Sequence, residues 1–118
     1  DWWTGKSDPY AVCYIQGRRS KKKVRTKTIN CTLDPTWNEE LVMTSWIEGE
    51  ALEFLVYDAD LIGSDFLGRA VLRSEQFFSK EGFSGELILE EAGQSATGVP
   101  TLIVEVTVPD FEKAKLNK

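Results

Sequence analysis

Short runs of alternating apolar and polar residues recur along the chain and limit its fold more than any other feature. The clearest is Ala51–Asp58, where Leu52, Phe54 and Val56 share one side. This is the period of a strand with one buried face. The other runs predicted as strands are Tyr10–Gln16, Lys23–Ile29, Trp37–Met43, Gly68–Leu72, Gly85–Leu89 and Thr101–Val108. Short strands with turn residues between them predict an all-β antiparallel sandwich.

Three stretches do not fit the strand pattern. Ser74–Phe83 is predicted as one helical turn or an irregular crossing, and Ala92–Pro100 as a loop of small residues. Residues 110–118 are charged, and we expect them to fray or lead into a linker. At 118 residues the chain has room for a single core. We therefore expect one domain over residues 1–109, followed by a charged C-terminal tail at 110–118.

The residue types argue against an enzyme. The chain has no histidine, which excludes a histidine base and a zinc triad built on histidine. Neither a glycine-rich phosphate loop nor a nucleophile elbow occurs. Cys13 and Cys31 lie 18 residues apart, a spacing that indicates neither a metal site nor a disulfide framework. We interpret them as reduced thiols of a cytoplasmic protein, with a disulfide between them as the alternative.

Carboxylates crowd together where the clearest strand ends. Asp58, Asp60 and Asp65 follow one another closely there, and Asp8 stands at the head of another strand. Such carboxylates repel one another unless a cation joins them, and oxygen ligands on flexible loops suit calcium. The alternative is that they only solvate or cap turns. The pairing of the two pieces favours a calcium site at one end of the sandwich.

The basic residues are concentrated in one segment. Residues 18–27 hold seven of the 14 lysines and arginines and no acid, although the net charge of the chain is −5. Alternation places Lys23, Arg25 and Lys27 on one side of a strand, where they suit an anionic leaflet or a multiply charged headgroup. The alternative is a solvated hairpin. Nucleic-acid binding is not expected, because no aromatic residues are interleaved with the basic ones and the rest of the chain is acidic.

Four motifs, in order, carry a resemblance to a known family. They are Ser7-Asp8-Pro9-Tyr10, Lys27-Thr28-Ile29, Leu33–Glu39 and the Asp-X-Asp segment that closes on Asp65-Phe66-Leu67-Gly68. In sequence and spacing the chain resembles the C2 domain from Asp1 to about Val108. The resemblance implies an eight-stranded antiparallel Greek-key sandwich whose loops at one end bind Ca²⁺ and dock on anionic phospholipid. It also implies that the basic strand binds phosphoinositide.

The resemblance extends to individual residues. Asp8, Asp58, Asp60 and Asp65 match metal ligands of the family. The first ligand of loop one falls at Trp2, so Asp1 serves only if the loop bulges by one residue. Apolar residues in the loops expected to be exposed, which suit insertion into a membrane interface, are Trp2, Trp3, Leu61 and Ile62. The alternative for Trp3 and Leu61 is packing where the first strand is missing.

The family strand that precedes loop one is missing from this chain, which leaves seven strands instead of eight. We therefore expect a piece of a longer protein that is marginally stable or completes its sheet as a strand-exchanged dimer beside Thr101–Val108.

The expected function is calcium-dependent binding to anionic phospholipid, with phosphatidylserine as the main headgroup and phosphoinositide as a second. The protein would then be cytoplasmic, peripheral on the membrane when calcium is bound, and would target a larger signalling or trafficking protein. The alternative is a calcium-independent protein-interaction domain with a degenerate metal site, which the displaced position of Asp1 favours.

Overall fold

Six strands and two short helices make up the computed structural model, which describes residues 8–18, 23–28, 36–60, 63–91 and 100–116. In chain order they are β1 (Pro9–Ile15), β2 (Lys23–Arg25), β3 (Leu52–Asp60), β4 (Gly63–Leu72), α1 (Ser74–Phe77), β5 (Phe83–Ile88), β6 (Thr101–Val106) and α2 (Phe111–Leu116). Five of the alternating runs in the sequence correspond to β1, β3, β4, β5 and β6. The prediction of a mainly β domain is confirmed.

The strands form two antiparallel sheets. One has the order β2-β1-β3-β4, and the other pairs β5 with β6. The β1–β3 pair runs from Pro9 opposite Asp58 to Ile15 opposite Leu52. A bridge between Arg69 and Glu90 connects β4 to the residues just after β5. The arrangement agrees with an antiparallel sandwich.

The core lies between the sheets and contains the apolar side of each predicted alternation. Leu52, Phe54 and Val56 of β3 face it, as the period-two pattern requires. Residues of the second sheet close it from the other side, and Phe77 closes it at one end. Buried residues of the core cluster are Ala11, Ile15, Leu52, Phe54, Val56, Leu67, Ala70, Leu72, Phe77, Leu87, Leu89 and Leu102.

A β-bulge breaks the register between β3 and β4. Val56 lies opposite Gly68, whereas Tyr57 lies opposite Phe66, so Leu67 is the extra residue. Gly68 has a close neighbour, since a Cβ atom added there would lie 2.9 Å from the Cβ of Leu89. A side chain at Gly68 would therefore push the two sheets apart.

Residues 37–43 are not a strand, and that prediction was wrong. This segment forms no ladder with any of the described strands. Asn38 has a positive φ of 48°, which is incompatible with extended pairing. Leu41 and Val42 are consecutive and both exposed, so the alternation is lost here. The predicted strand Lys23–Ile29 is likewise shortened to β2.

The region after β4 and the tail both contain helix. The helical-turn alternative for Ser74–Phe83 is confirmed by α1, where the main-chain N–H of Arg73 donates to Oε1 of Gln76 at 2.9 Å. The tail was expected to fray or to lead into a linker. It contains α2, and Phe111 packs edge-on against Phe78 with ring centroids 4.8 Å apart. The domain boundary at residue 109 stays a prediction. None of the described helices is long and apolar enough to cross a membrane.

Candidate functional site

The acidic residues lie at the end of a hairpin made of two long strands. β3 continues to Asp60 and β4 begins at Gly63, so both strands extend further than the sequence predicted. Asp58 lies directly opposite Asp65 in the ladder, and Asp60 lies opposite Gly63. Like charges directly opposite each other destabilise an antiparallel pair. The hairpin therefore holds two carboxylates together at a cost in stability.

Asp8 comes to the same end from the head of β1. Its main-chain N–H donates to Oδ1 of Asp58 at 2.7 Å, and its carbonyl oxygen accepts from the N–H of Ala59 at 2.9 Å. These bonds fix the chain just before β1 against the end of β3. The sequence placed Asp8 and Asp58 in one site, and the structure brings them together.

The described carboxylates match calcium in their chemistry more closely than in their arrangement. All are hard oxygen donors, and neither Asp58 nor Asp65 forms an ion pair within the described residues. Among these residues, however, no group of three acidic side chains is close enough together to hold a metal ion. Asp1 and the side chain of Asp60 lie outside the described part, so the donor set is incomplete there.

The basic residues are exposed, but they differ in the contacts that their side chains make. Lys23, Arg25 and Lys27 are all exposed. The guanidinium carbon of Arg25 lies 3.8 Å from the centre of the Tyr10 ring. Its Nε donates to the carbonyl of Thr26 and its Nη2 to the hydroxyl of Thr28, each at 3.0 Å. Arg25 is thus held in a fixed orientation, while the ammonium groups of Lys23 and Lys27 have no described partner.

An aromatic row that the sequence analysis missed links the basic strand to the acidic hairpin. Tyr10 stacks on Tyr57 with centroids 5.4 Å apart, and Tyr57 meets Phe66 edge-on at 5.8 Å. The row crosses β1, β3 and β4 on the face away from the core, with Arg25 beside its first ring. The signal was present in Tyr10, Val12 and Tyr14, an alternation that is apolar on the outer side as well.

An ion-pair network lies further along the same outer face. Glu53 is buried and lies 2.9 Å from Arg69, which also contacts Glu91 at 3.1 Å. The hydrogen bond to Glu91, followed by the charge of Glu53, raises the pKa of Arg69 above its usual value. Arg69 therefore remains a fixed cation at neutral pH.

Of the remaining residues singled out by the sequence, the structure describes Cys13 only. Trp2, Trp3, Leu61 and Ile62, expected to enter the membrane, lie outside the described residues. Cys13 is a free thiol, and burial raises its pKa to about 12. It is therefore protonated and unreactive at neutral pH. Cys31 lies outside the described residues.

Comparison with known proteins decides the family. Residues 1–89, well over half of the chain, match the family model of the C2 domain. The chain belongs to the C2 domain family. This C2 domain also resembles a solved structure that contains two C2 domains of extended synaptotagmin 2 with calcium bound. The likeness has a TM-score of 0.59 at 24% identity and covers 86% of this chain and 36% of the other, which establishes the fold.

Curated relatives of this C2 domain include two larger proteins. Extended synaptotagmin-1 of Mus musculus is 46% identical over 67 residues, which is 55% of this chain and 6% of that protein. Rabphilin-1 of Caenorhabditis elegans is 37% identical over 93 residues, which is 75% of this chain and 8% of that protein. The C2 domain thus spans less than a tenth of each of these relatives.

Proposed function

We propose that this C2 domain binds anionic phospholipid membranes in response to calcium and is peripheral on the membrane when calcium is bound. The observation that carries the proposal is the pairing of Asp58 with Asp65 at the end of the β3–β4 hairpin, with Asp8 hydrogen-bonded to it. Two carboxylates directly opposite each other, without an ion-pair partner among the described residues, favour a bound cation. The calcium-bound relative in the structural comparison supports the choice of metal.

Asp8, Asp58 and Asp65 would hold the ion together with Asp60 and Asp1. A bound Ca²⁺ supplies positive charge and open coordination positions for oxygen ligands of lipid headgroups. The β3–β4 ladder fixes Asp58 and Asp65 before any ion arrives, and the N–H of Asp8 keeps one oxygen of Asp58 in place. The chain thus positions ligands from two segments that are 50 residues apart.

The charge of the acidic end explains the dependence on calcium. Without the ion, the carboxylates of Asp58 and Asp65 repel an anionic leaflet over one Debye length, ~8 Å at cellular ionic strength. Neutralising them removes this barrier. Trp2, Trp3, Leu61 and Ile62 are then proposed to enter the interface, as the sequence predicts.

The basic strand is proposed to select the headgroup. Lys23, Arg25 and Lys27 are exposed on or just after an edge strand, and phosphate groups suit their charge. Phosphatidylserine is the proposed main lipid. Phosphoinositide is the second lipid, and the basic strand is proposed to bind it. The whole protein is proposed to be a signalling or trafficking protein that this domain targets, without catalysis within the domain.

Removing two of these charges tests the basic strand. We expect Lys23→Ala with Arg25→Ala to weaken binding to phosphoinositide vesicles about 30-fold, since each cation near an anionic surface contributes about 1 kcal/mol. Binding should also become less sensitive to salt. The matched control is Lys113→Ala with Lys115→Ala, which removes the same charge from exposed positions of α2. Vesicle sedimentation measures both double variants. If both lose the same amount of binding, the effect comes from net charge alone and the basic strand has no specific role.

A calcium-independent protein-interaction domain is the second candidate function. It is favoured by the position of Asp1, which stands one residue before the place of the family's first ligand in loop one. Sedimentation with phosphatidylserine vesicles, with and without calcium, separates the two. We expect the protein in the pellet only with calcium. Binding that is equal in both conditions, or absent from both, would favour the second candidate.

The strand-exchanged dimer expected from the sequence stays a prediction. β6 has one unpaired edge among the described strands, and such edges invite pairing between chains. Light scattering over a range of concentrations measures the mass directly. A dimer at micromolar concentration would bear the prediction out, and a monomer at every concentration would contradict it.

A further inference from the structure

Two threonines in and just after the basic strand stand in a distinctive sequence context. Of all serines and threonines in the sequence, only Thr26 and Thr28 have a basic residue three positions before them. For Thr26 this residue is Lys23, and for Thr28 it is Arg25. Each threonine also has a lysine five positions before it. Protein kinases with an acidic substrate cleft select basic side chains at such positions by charge complementarity. The sequence therefore contains two candidate acceptor hydroxyls.

The fold excludes Thr26 as an acceptor. Thr26 is only 9% exposed, and its main-chain N–H donates to the carbonyl of Ala11 at 2.9 Å. Its hydroxyl accepts from the N–H of Ala11 and donates to the carbonyl of Lys27, each at 2.9 Å. A buried hydroxyl that already donates and accepts cannot enter the active site of a kinase unless the segment leaves β1.

Thr28 is accessible by comparison. It is partly exposed and lies beyond the end of β2, where the chain forms no strand ladder. The hydrogen bond that its hydroxyl accepts from Arg25 is at the surface, and so is the bond from the N–H of Lys27 to Oε2 of Glu39. Among the described strands, β2 is the outer strand of its sheet and pairs with β1 alone. A kinase can therefore approach the segment 23–28 from the open side.

The guanidinium of Arg25 is already placed to hold a phosphate on Thr28. Its Nη2 lies 3.0 Å from the hydroxyl of Thr28, while the Tyr10 ring supports its other side. A phosphate ester on that hydroxyl carries a charge of about −2 at pH 7 and adds three acceptor oxygens. Arginine binds phosphate through two parallel hydrogen bonds, which are stronger than those between neutral groups. Once Thr28 is phosphorylated, Arg25 is therefore engaged within the chain.

We propose that a protein kinase selective for basic residues phosphorylates Thr28, and that this phosphate turns off lipid binding by the basic strand. Oγ1 of Thr28 bonds to the γ-phosphorus of ATP as the bond from that phosphorus to the β-phosphate oxygen breaks. ADP leaves, and the hydroxyl proton passes to a carboxylate base of the kinase. The three positive charges of Lys23, Arg25 and Lys27 then face about two negative ones. The effect on lipid binding rests on the proposed function, whereas the modification does not.

The first test treats the 118-residue chain with purified protein kinase B, Mg²⁺ and ATP, and mass spectrometry maps the phosphate. A synthetic peptide of residues 21–31 is treated in parallel. We expect phosphate on both Thr26 and Thr28 in the peptide but on Thr28 alone in the folded chain, because the fold buries Thr26. If Thr28 of the folded chain carries no phosphate, or no more than Thr26 does, the proposal is wrong.

Removing the nearest cation tests the recognition by the kinase. Arg25→Ala is expected to lower kcat/KM for phosphorylation of Thr28 at least about tenfold, since the kinase loses a charged hydrogen-bond partner. Lys113→Ala, which removes one charge from an exposed position of α2, is the matched control and should leave kcat/KM unchanged. Circular dichroism checks that both variants fold. If Arg25→Ala is phosphorylated as fast as the control, the basic residues do not direct the kinase and the proposal is wrong.

Vesicle sedimentation tests the effect on lipid binding. The phosphorylated chain is expected to bind phosphoinositide vesicles about 30-fold more weakly than the unmodified chain, because its two added negative charges offset two cations. Thr28→Glu adds one negative charge and should weaken binding about fivefold, whereas Ser84→Glu, exposed on β5 of the other sheet, should have little effect.

Two outcomes would contradict the effect on lipid binding, and they have different meanings. If the phosphorylated and unmodified chains bind equally well, phosphate on Thr28 does not turn off lipid binding. If the unmodified chain does not bind phosphoinositide vesicles at all, the proposed function of the basic strand is wrong, and the effect on lipid binding falls with it. The mass-spectrometric map decides the modification of Thr28 in either case.

Discussion

Replacement of Asp58 by Asn is expected to abolish calcium-dependent sedimentation with phosphatidylserine vesicles and most of the rise in melting temperature that calcium produces. An ion that binds only the folded state stabilises it by about 2.7 kcal/mol at a hundredfold excess over Kd. Asp58 is central to the proposed site, since it lies opposite Asp65 and accepts the N–H of Asp8. Loss of its charge removes the attraction and leaves the fold intact.

The substitution is conservative in structure, which makes the result interpretable. Asn keeps a side-chain carbonyl oxygen that accepts the N–H of Asp8, so melting without calcium should change little and should rise slightly as the Asp58–Asp65 repulsion is relieved. Asp110→Asn, at an exposed position before α2, is the charge-matched control. Scanning calorimetry with and without millimolar calcium measures both variants. If millimolar calcium does not change the melting temperature of the wild-type protein, the proposed metal site is wrong.

Replacement of Phe77 by Ala is expected to lower the free energy of unfolding by about 3–5 kcal/mol. Phe77 is 2% exposed, closes one end of the core and packs against Trp46 with ring centroids 5.3 Å apart. Truncation leaves a cavity that the two sheets cannot close without moving. Urea unfolding at equilibrium measures the change.

This loss is a large fraction of the stability of a single domain, so the Ala variant is expected to be partly unfolded without denaturant. Phe77→Leu gives a smaller, measurable loss if that happens. Ile103→Ala, at a side chain that is 72% exposed, is the control and should change the free energy by less than about 0.5 kcal/mol. Similar losses at Phe77 and Ile103 would mean that α1 does not contribute to the core.

The parts of the fold that could be predicted are those where one side of a strand is buried. Leu52, Phe54 and Val56 alternate because β3 has a core face, and the structure shows them there. The same signal failed at residues 37–43, because a strand also needs a neighbour and the sequence pattern does not show whether one is present. The helix α2 was missed because half of its short sequence is charged, and because the contact of Phe111 with Phe78 is not local.

For the candidate site, the sequence predicted which acidic residues meet better than it predicted how they are arranged. The aspartates were found by their crowding, and the structure places Asp58 opposite Asp65 beside Asp8. The sequence did not reveal that the hairpin extends to Asp60, since strand length depends on pairing across the turn. The aromatic row that begins at Tyr10 was also missed, because stacking across three strands follows from register.

The contact of Arg25 with Tyr10 has a consequence for the headgroup selectivity that we propose for the basic strand. A free lysine must give up the freedom of several rotatable bonds when it meets a phosphate, whereas Arg25 has already given it up to the Tyr10 ring and two acceptors. Its guanidinium is a planar fork in a set direction, so in the proposed lipid site we expect it to discriminate between headgroups by shape. We expect Lys23 and Lys27 to respond mainly to the charge density of the membrane surface. In the proposed lipid site, β2 and the residues just after it would thus combine one rigid group that responds to geometry with two flexible groups that respond to surface potential.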